Sequence, residues 1–335
     1  MYRILLRTGA TRTKTDFKVK EKDNMANYVF GVDVGGTTVK MGLFDKEGNV
    51  LDKWEIPTRT ADNGENILPD IAASIKAKMT EKSFTKDDVI GVGIGVPGPV
   101  EKSGVVHKAV NLGWSELNMK EKLTALLDGM RVEGGNDANV AALGEMWKGG
   151  GQGHKNLVAV TLGTGVGGGI IVNGEIMTGA TGAGGEIGHI HVEDHETEAC
   201  GCGNYGCLEE YASATGITRL ANRALKASDK DSVLRNGEVS AKAVFDAVKA
   251  GDELAIEIAK QFGEYLGKGL GVIAGIINPE IFVIGGGVSK AGEVLFDYIK
   301  PSFERTTFHG SRNVIFALAT LGNDAGIYGA ARLVL

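Results

Sequence analysis

Cys200, Cys202 and Cys207 are the only cysteines in the chain, and they follow closely on three histidines at 189, 191 and 195. An odd number of thiols packed this tightly does not make a disulfide framework. In a reducing compartment they stay thiols, which as metal-bound thiolates are soft ligands that need only one imidazole to complete the tetrahedral set zinc prefers. Four protein ligands close the shell, so the expected role is structural. Spacing alone leaves His189, His191 and His195 as rivals for the fourth place.

A second chemistry is written in glycine, 51 residues against 6 prolines. In DVGGTTVK, Asp33 to Lys40, Gly35 and Gly36 are expected to take backbone conformations closed to other residues. Thr37 and Thr38 add hydroxyls, and Asp33 at the strand end is placed to hold magnesium through water. Taken alone, such a turn is as readily an ordinary hairpin. LGTGVGGG repeats it, however. Laying VDVGGTTVKMGLFDKEG over VTLGTGVGGGIIVNG sets Asp33 on Thr161, and Gly36 and Thr37 on Thr164 and Gly165, with Gly163 opening the second turn. Duplication of one β-hairpin unit is the economical account. A third turn, Gly285, Gly286 and Gly287, follows the apolar run 281–284 and leads into a helical stretch, the layout in which a nucleotide approaches a helix N-terminus. Two such hairpins facing one another could grip a polyphosphate between two lobes.

The elements that must position these residues follow from composition and pattern. At 335 residues, two cores are more economical than one. A net charge of -6 with 43% hydrophobic residues argues against disorder and against a generally basic nucleic-acid surface. No apolar run approaches the roughly 18 residues of a membrane span, and no secretory signal opens the chain. A cytoplasmic protein with small-molecule partners is expected. Residues 1–26 read as a flexible leader. From Tyr28 an antiparallel meander begins, then a helix over 63–82, a buried strand in VIGVGIGVPGPV and a helix near 118–127. Cap-like Asn136 and Asp137 open the next helix. After a loop over 149–156 the strand–turn–strand pattern recurs, followed by one long helical segment over 241–277 and a terminal helix over 323–335 that could cross back to the first lobe. The lobes are expected at 27–138 and 139–322, in an α/β fold with a cleft between them.

In order along the chain, VDVGGTTVK, GVPGPV, GNDANVAALGE, TLGTGVGGGI, GAGGEIGH, CGCGNYGCLEE and IGGGVS resemble the ROK family of bacterial sugar kinases and related repressors, on the actin-like ATPase (ribonuclease H-like) fold. The resemblance runs from about residue 28 to the C-terminus, is most specific in Glu-Ile-Gly-His paired with the cysteine cluster, and within the family is strongest to glucokinases of Gram-positive bacteria. It implies an ATP- and magnesium-dependent kinase acting on the 6-hydroxyl of glucose, with Asp137 as general base and Asn136, Glu186, His189 and Glu209 on the sugar. Asn111 is a weaker candidate. It also implies His189 as the fourth ligand of a structural zinc held in segment 189–207, and a homodimer with no nucleic-acid or membrane partner. Taken singly, Asp137 is a helix cap and each glutamate a surface carboxylate; it is the constellation that reverses those readings. The same residues would serve fructose, mannose or N-acetylmannosamine, and glycine turns would bind polyphosphate as well as ATP. A repressor of the family would carry a helix-turn-helix ahead of the DVGGT strand, and residues 1–26 show no paired-helix pattern.

Overall fold

The computed structural model describes residues 26–335, so the expected leader lies, but for Ala26, outside the described residues. The first half opens with strands β1 (Tyr28–Val34), β2 (Thr38–Asp45) and β3 (Val50–Pro57), an antiparallel meander. Next come α1 (Ile67–Lys82), β4 (Val89–Val96), the short strands β5 (Val105–Val106) and β6 (Leu117–Asn118), α2 (Met119–Leu126), β7 (Val132–Asn136) and α3 (Asp137–Lys148). The second half contains β8 (Leu157–Leu162), β9 (Val166–Val172), β10 (Glu175–Ile176), α4 (Glu209–Ala212), α5 (Ala214–Ala227), α6 (Ala241–Lys249) and α7 (Glu253–Ile277). It ends with β11 (Ile281–Gly285), α8 (Val294–Thr306), β12 (Ile315–Leu318) and α9 (Ala325–Arg332).

The two large sheets have one topology. Their orders are β3-β2-β1-β4-β7 and β10-β9-β8-β11-β12: in each, three antiparallel strands are followed by two parallel ones, added on the side of the first strand. The duplication expected from the two glycine hairpins therefore extends to the whole five-stranded sheet. This is the actin-like ATPase architecture. The added strands β4 (VIGVGIGV) and β11 (IFVIG) are almost wholly apolar, as strands covered on both faces must be. β3, at an edge, alternates between half-buried and exposed residues.

Three expectations need correction. The segment 241–277 is two helices, because Gly251 at φ +84° breaks the run and the Asp252 side chain accepts from Ala255 N to start the next. After the third glycine turn a short 3-10 segment, Val288–Ala291, precedes α8, so no long helix begins directly at those glycines. The helix expected over 63–82 begins at Ile67, since Asp62 and Asn63 adopt positive φ.

α3 and α9 cross at close range and tie the two sheets together. A Cβ on Gly329 would lie 1.7 Å from the Val140 carbonyl, and one on Gly144 would lie 2.3 Å from that of Ala325. α9 also packs on the first sheet, where Ile327, Ala331 and Val334 cluster with Val29 and Phe44. Just past the crossing, the buried Glu145 carboxylate accepts backbone amides from Gly150 at 2.8 Å, Thr320 at 3.1 Å and Leu321 at 3.0 Å, binding α3 to the approach to α9. Gly329→Ala should therefore overpack this crossing and cost about 1–3 kcal/mol, read as a lowered Tm. An unchanged Tm would show that the helices can separate without penalty. Among the described residues no helix is long and apolar enough to cross a membrane.

Candidate active site

A cleft of about 910 Å³ runs between the two sheets. Its lining joins Asp33 and Lys40 from the first hairpin, Asp137 from the start of α3, Gly163 and Gly165 from the second hairpin, Glu186, His189 and Glu209, and Gly285, Gly286 and Gly287. Residues far apart in sequence thus share one cavity.

Asp137 is held by its own helix start. Asn136 caps α3, its Oδ1 accepting from Asn139 N at 3.1 Å. Its Nδ2 donates to Asp137 Oδ1 at 3.1 Å and to the Gly98 carbonyl, also at 3.1 Å. The Ala138 amide donates to the same Oδ1 at 2.8 Å. One carboxylate oxygen is thus fixed by two donors. Burial raises the Asp137 carboxyl above its ordinary value against the opposing Ala138 amide, and the charge of Glu186 pushes the same way. Asp33 is pushed up to about 6, first by burial and then by the charge of Asp137, with Lys40 opposing. A Cβ on Gly326, in the first turn of α9, would lie 2.6 Å from Asp33 Oδ2, so that glycine makes room for the carboxylate.

The glycine turns differ from expectation. Neither Gly35 nor Gly36 has a positive φ. Gly35 sits where a Cβ would lie 3.0 Å from the Thr38 carbonyl, a tight fit, and its amide closes the turn onto that oxygen. Only Gly286 among the three turns has a left-handed backbone, φ +83°, where a Cβ would meet Leu162 O at 2.5 Å. The cleft lining does not include Gly35, Gly36, Thr37 or Thr38: that turn is anchored to the end of β3, with Thr58 donating to Thr37 O and Gly35 O. Asn111 sits beside Gly36, also outside the lining. Asn136 reaches the site only through Asp137, because its amide is occupied by the cap. Thr164 lines an adjoining pocket of about 560 Å³ with Phe245, Val288 and Ala291; that pocket shares Gly287 and Lys290 with the cleft.

At one end of the cleft, ligand atoms of His189, Cys200, Cys202 and Cys207 all lie within 4.8 Å of one another. Cys202 and Cys207 sulfurs are 3.7 Å apart, and Cys200 Sγ is 3.9 Å from His189 Nδ1. Sulfurs about 2.3 Å from a tetrahedral zinc stand about 3.8 Å apart, so the cluster has the dimensions of a zinc shell. Neither rival histidine, His191 or His195, is in the cluster. His191 uses Nδ1 on the Tyr205 carbonyl and Nε2 on Asp194. Glu209 joins the cluster to the hairpin: its Oε1 accepts from Cys200 Sγ at 3.0 Å, and its Oε2 lies 3.4 Å from Val166 N.

Sequence reasoning passed over Lys40, Lys290 and Glu145, all of which line the cleft. Lys40 stood in the quoted DVGGTTVK motif, and pointing to the same strand face as Asp33 would have needed the register, in which the two are direct partners across the hairpin.

The chain resembles known proteins over nearly its whole length. A curated glucokinase of Halalkalibacterium halodurans is 46% identical over 311 residues, covering 91% of this chain and 94% of the relative. Among solved structures, a ROK family glucokinase from Streptomyces griseus in complex with glucose and AMPPNP is 35% identical, covers 91% of this chain and 98% of its own, and aligns with a TM-score of 0.69. A ROK hexokinase from Thermus thermophilus is 31% identical, covers 92% and 97%, and aligns at 0.76. The model of the ROK family matches residues 29–335, and with these relatives on either side of it the chain belongs to the ROK family.

Proposed function

We propose that the protein is an ATP-dependent glucokinase, transferring the terminal phosphoryl group of ATP to the 6-hydroxyl of glucose. The observation that carries this reading is Asp137, held at the head of α3 with one oxygen fixed by two donors, in the same cleft as Glu186, His189 and Glu209 and facing glycine turns from the other sheet. With Oδ1 occupied, the second oxygen is left to accept the hydroxyl proton. Phosphoryl transfer has a loose transition state, so Asp137 chiefly orients the alcohol and takes its proton late. Glu186, Glu209 and the second ring nitrogen of His189 pair the remaining sugar hydroxyls, which buried recognition demands.

On the donor side, the turns at 163–165 and 285–287 would receive the phosphates, with Lys40 adding charge. The adjoining pocket, with Phe245, Val288 and Ala291, offers an apolar wall for a base. That wall favours a nucleotide over polyphosphate as donor. Asp33, a carboxyl raised by burial and a like charge, is the group that gains most from a cation arriving with the nucleotide. His189, Cys200, Cys202 and Cys207 would hold a structural zinc, which when bound cross-links the segments that carry His189 and Glu209. The lobe division at 27–138 and 139–322, the return of the 323–335 helix to the first lobe, cytoplasmic location and a homodimer belong to the same reading.

Two consequences can be measured. A coupled assay of glucose, fructose, mannose and N-acetylmannosamine with ATP and magnesium should give the highest kcat/KM for glucose; preference for another sugar would reassign the acceptor. The pH profile follows from the raised carboxyls. Asp33 must be ionised to work, so kcat/KM should hold above neutrality and fall as pH drops through about 6, well above an ordinary aspartate. Asp137, whose carboxyl is also raised by burial, moves its own acid limb in the same direction. An acid limb near pH 4 would contradict it. Stability moves the other way for Asp33: between its ordinary value and about 6 the folded state binds more protons, so acidification over that window stabilises through this group.

A further inference from the structure

The loop that joins His189 to Cys200 carries a carboxylate the reaction scheme does not use. Glu196 has a side chain only 3% exposed, yet it meets two guanidinium groups and a phenol. Tyr211 Oη donates to Oε2 at 2.6 Å, Arg219 Nη2 to the same oxygen at 2.9 Å, and Arg223 reaches both oxygens at 3.2 Å. Its own loop closes on it as well, Thr197 N and Glu198 N donating to Oε1 at 2.9 and 3.1 Å. Burial alone would raise this carboxyl. The donors of Arg223 and Tyr211 more than offset that and hold it well below the usual carboxylate range.

Two of these partners, Tyr211 and Arg219, lead back to the sugar side of the cleft. Tyr211 lies two residues past Glu209 in α4, its ring stacked on Tyr265 of α7 at 4.0 Å with the Arg219 guanidinium over its face. Arg219 also binds Glu210, the neighbour of Glu209, at 3.1 Å. Tyr265 Oη donates to Glu193 at 2.9 Å, fixing the start of the same loop. Leu208 N donates to Ile190 O at 2.9 Å, so α4 and the residue after His189 move together. None of Glu193, Glu196, Arg219 or Tyr211 lines the cleft. A buried, multiply paired charge fixes geometry because removing one partner leaves the others uncompensated.

We infer that Glu196 is a positioning residue: through Tyr211 and Arg219 it sets α4, and so Glu209, against the His189 loop, an anchor separate from the cysteine cluster. This rests on the reading of Glu209 and His189 as sugar contacts. The sugar-facing segment then has two independent clamps, one ionic and one made by the thiols.

The test is Glu196→Gln, which keeps an acceptor for Tyr211 but removes the charge that both arginines need. KM for glucose should rise about 10–100-fold, while KM for ATP stays unchanged and zinc per chain matches the wild type. Amide hydrogen exchange at 209–212 should quicken in the variant. In wild-type protein stripped with a chelator, by contrast, residues 193–198 should remain protected. Tyr211→Phe, a milder change that removes only the hydroxyl, should shift KM in the same direction by less, and it carries the test if Glu196→Gln does not fold. An unchanged glucose KM in a folded variant overturns the inference, even where exchange quickens, because the knot would then be merely structural. Loss of protection at 193–198 on chelation also overturns it, since the clamps would be one. Wild-type protein that phosphorylates no hexose would sink the kinase reading instead, and quickened exchange at 209–212 would still support the anchoring of α4.

Discussion

Asp137→Asn is expected to lower kcat by about 10³-fold, within the range a general base supplies, with little change in nucleotide affinity. The substitution keeps the shape and nearly all the packing. Asparagine would still offer a carbonyl oxygen to the Ala138 amide and the Asn136 side chain, the two donors that now fix Oδ1. Its amide nitrogen would then occupy the place of the second oxygen and present donors to a hydroxyl that needs an acceptor. The alcohol would lose both its orientation and its route for the proton. Nucleotide contacts should survive, because the glycine turns and Lys290 lie on other elements. Turnover and nucleotide Kd measured on the same preparation decide the matter: a variant keeping turnover within tenfold of wild type would show that Asp137 is only a helix cap.

Cys202→Ser should cost sugar affinity and stability together. Cys202 is an exposed residue, so the exchange creates no cavity and any effect must come from the cluster. With one soft ligand replaced by a poor one, zinc content should fall below one per chain and KM for glucose should rise at least about tenfold, the lower end for losing support at such a site. KM for ATP should stay nearly constant, since no cysteine borders the turns at 163–165 or 285–287. Elemental analysis beside the kinetics checks both halves. Full sugar affinity in metal-free protein would remove the structural role of the cluster.

Much of this was legible in the sequence because backbone chemistry is local. Two hairpins with three-residue glycine turns announced a duplication, and the structure extends it from the hairpins to complete matching sheets. The cap at Asn136 was readable from residue type alone, and α3 starts at Asp137 as expected. Other features depended on distance in space. Strand β12 and helix α5 escaped notice: IFAL is too short to show a period, whereas α5 does gather Ile217, Leu220 and Ala221 on one buried face, a helical spacing that was passed over. The break at Gly251 was legible and was passed over: Lys249-Ala250-Gly251-Asp252 offers a glycine that can end one helix and an aspartate that can cap the next. His189 could not be separated from His191 and His195 by spacing, whereas the structure separates them through the Tyr205 carbonyl and Asp194 that occupy His191. Glu145 looked like one more helix glutamate, yet it is 4% exposed and holds amides from two distant segments. The role of Gly35 was misjudged because glycine was credited with conformational freedom where a close approach to the Thr38 carbonyl is what the structure shows, and at Gly36 the structure shows neither.

The most direct test of the central claim is a crystal structure with glucose and a nonhydrolysable ATP analogue bound together. The account predicts the sugar between Asp137, Glu186, His189 and Glu209, with its 6-hydroxyl about 3 Å from the Asp137 carboxylate and pointing at the terminal phosphate held by the turns at 163–165 and 285–287. Glucose bound elsewhere, or bound here with a different hydroxyl turned to Asp137, would contradict it.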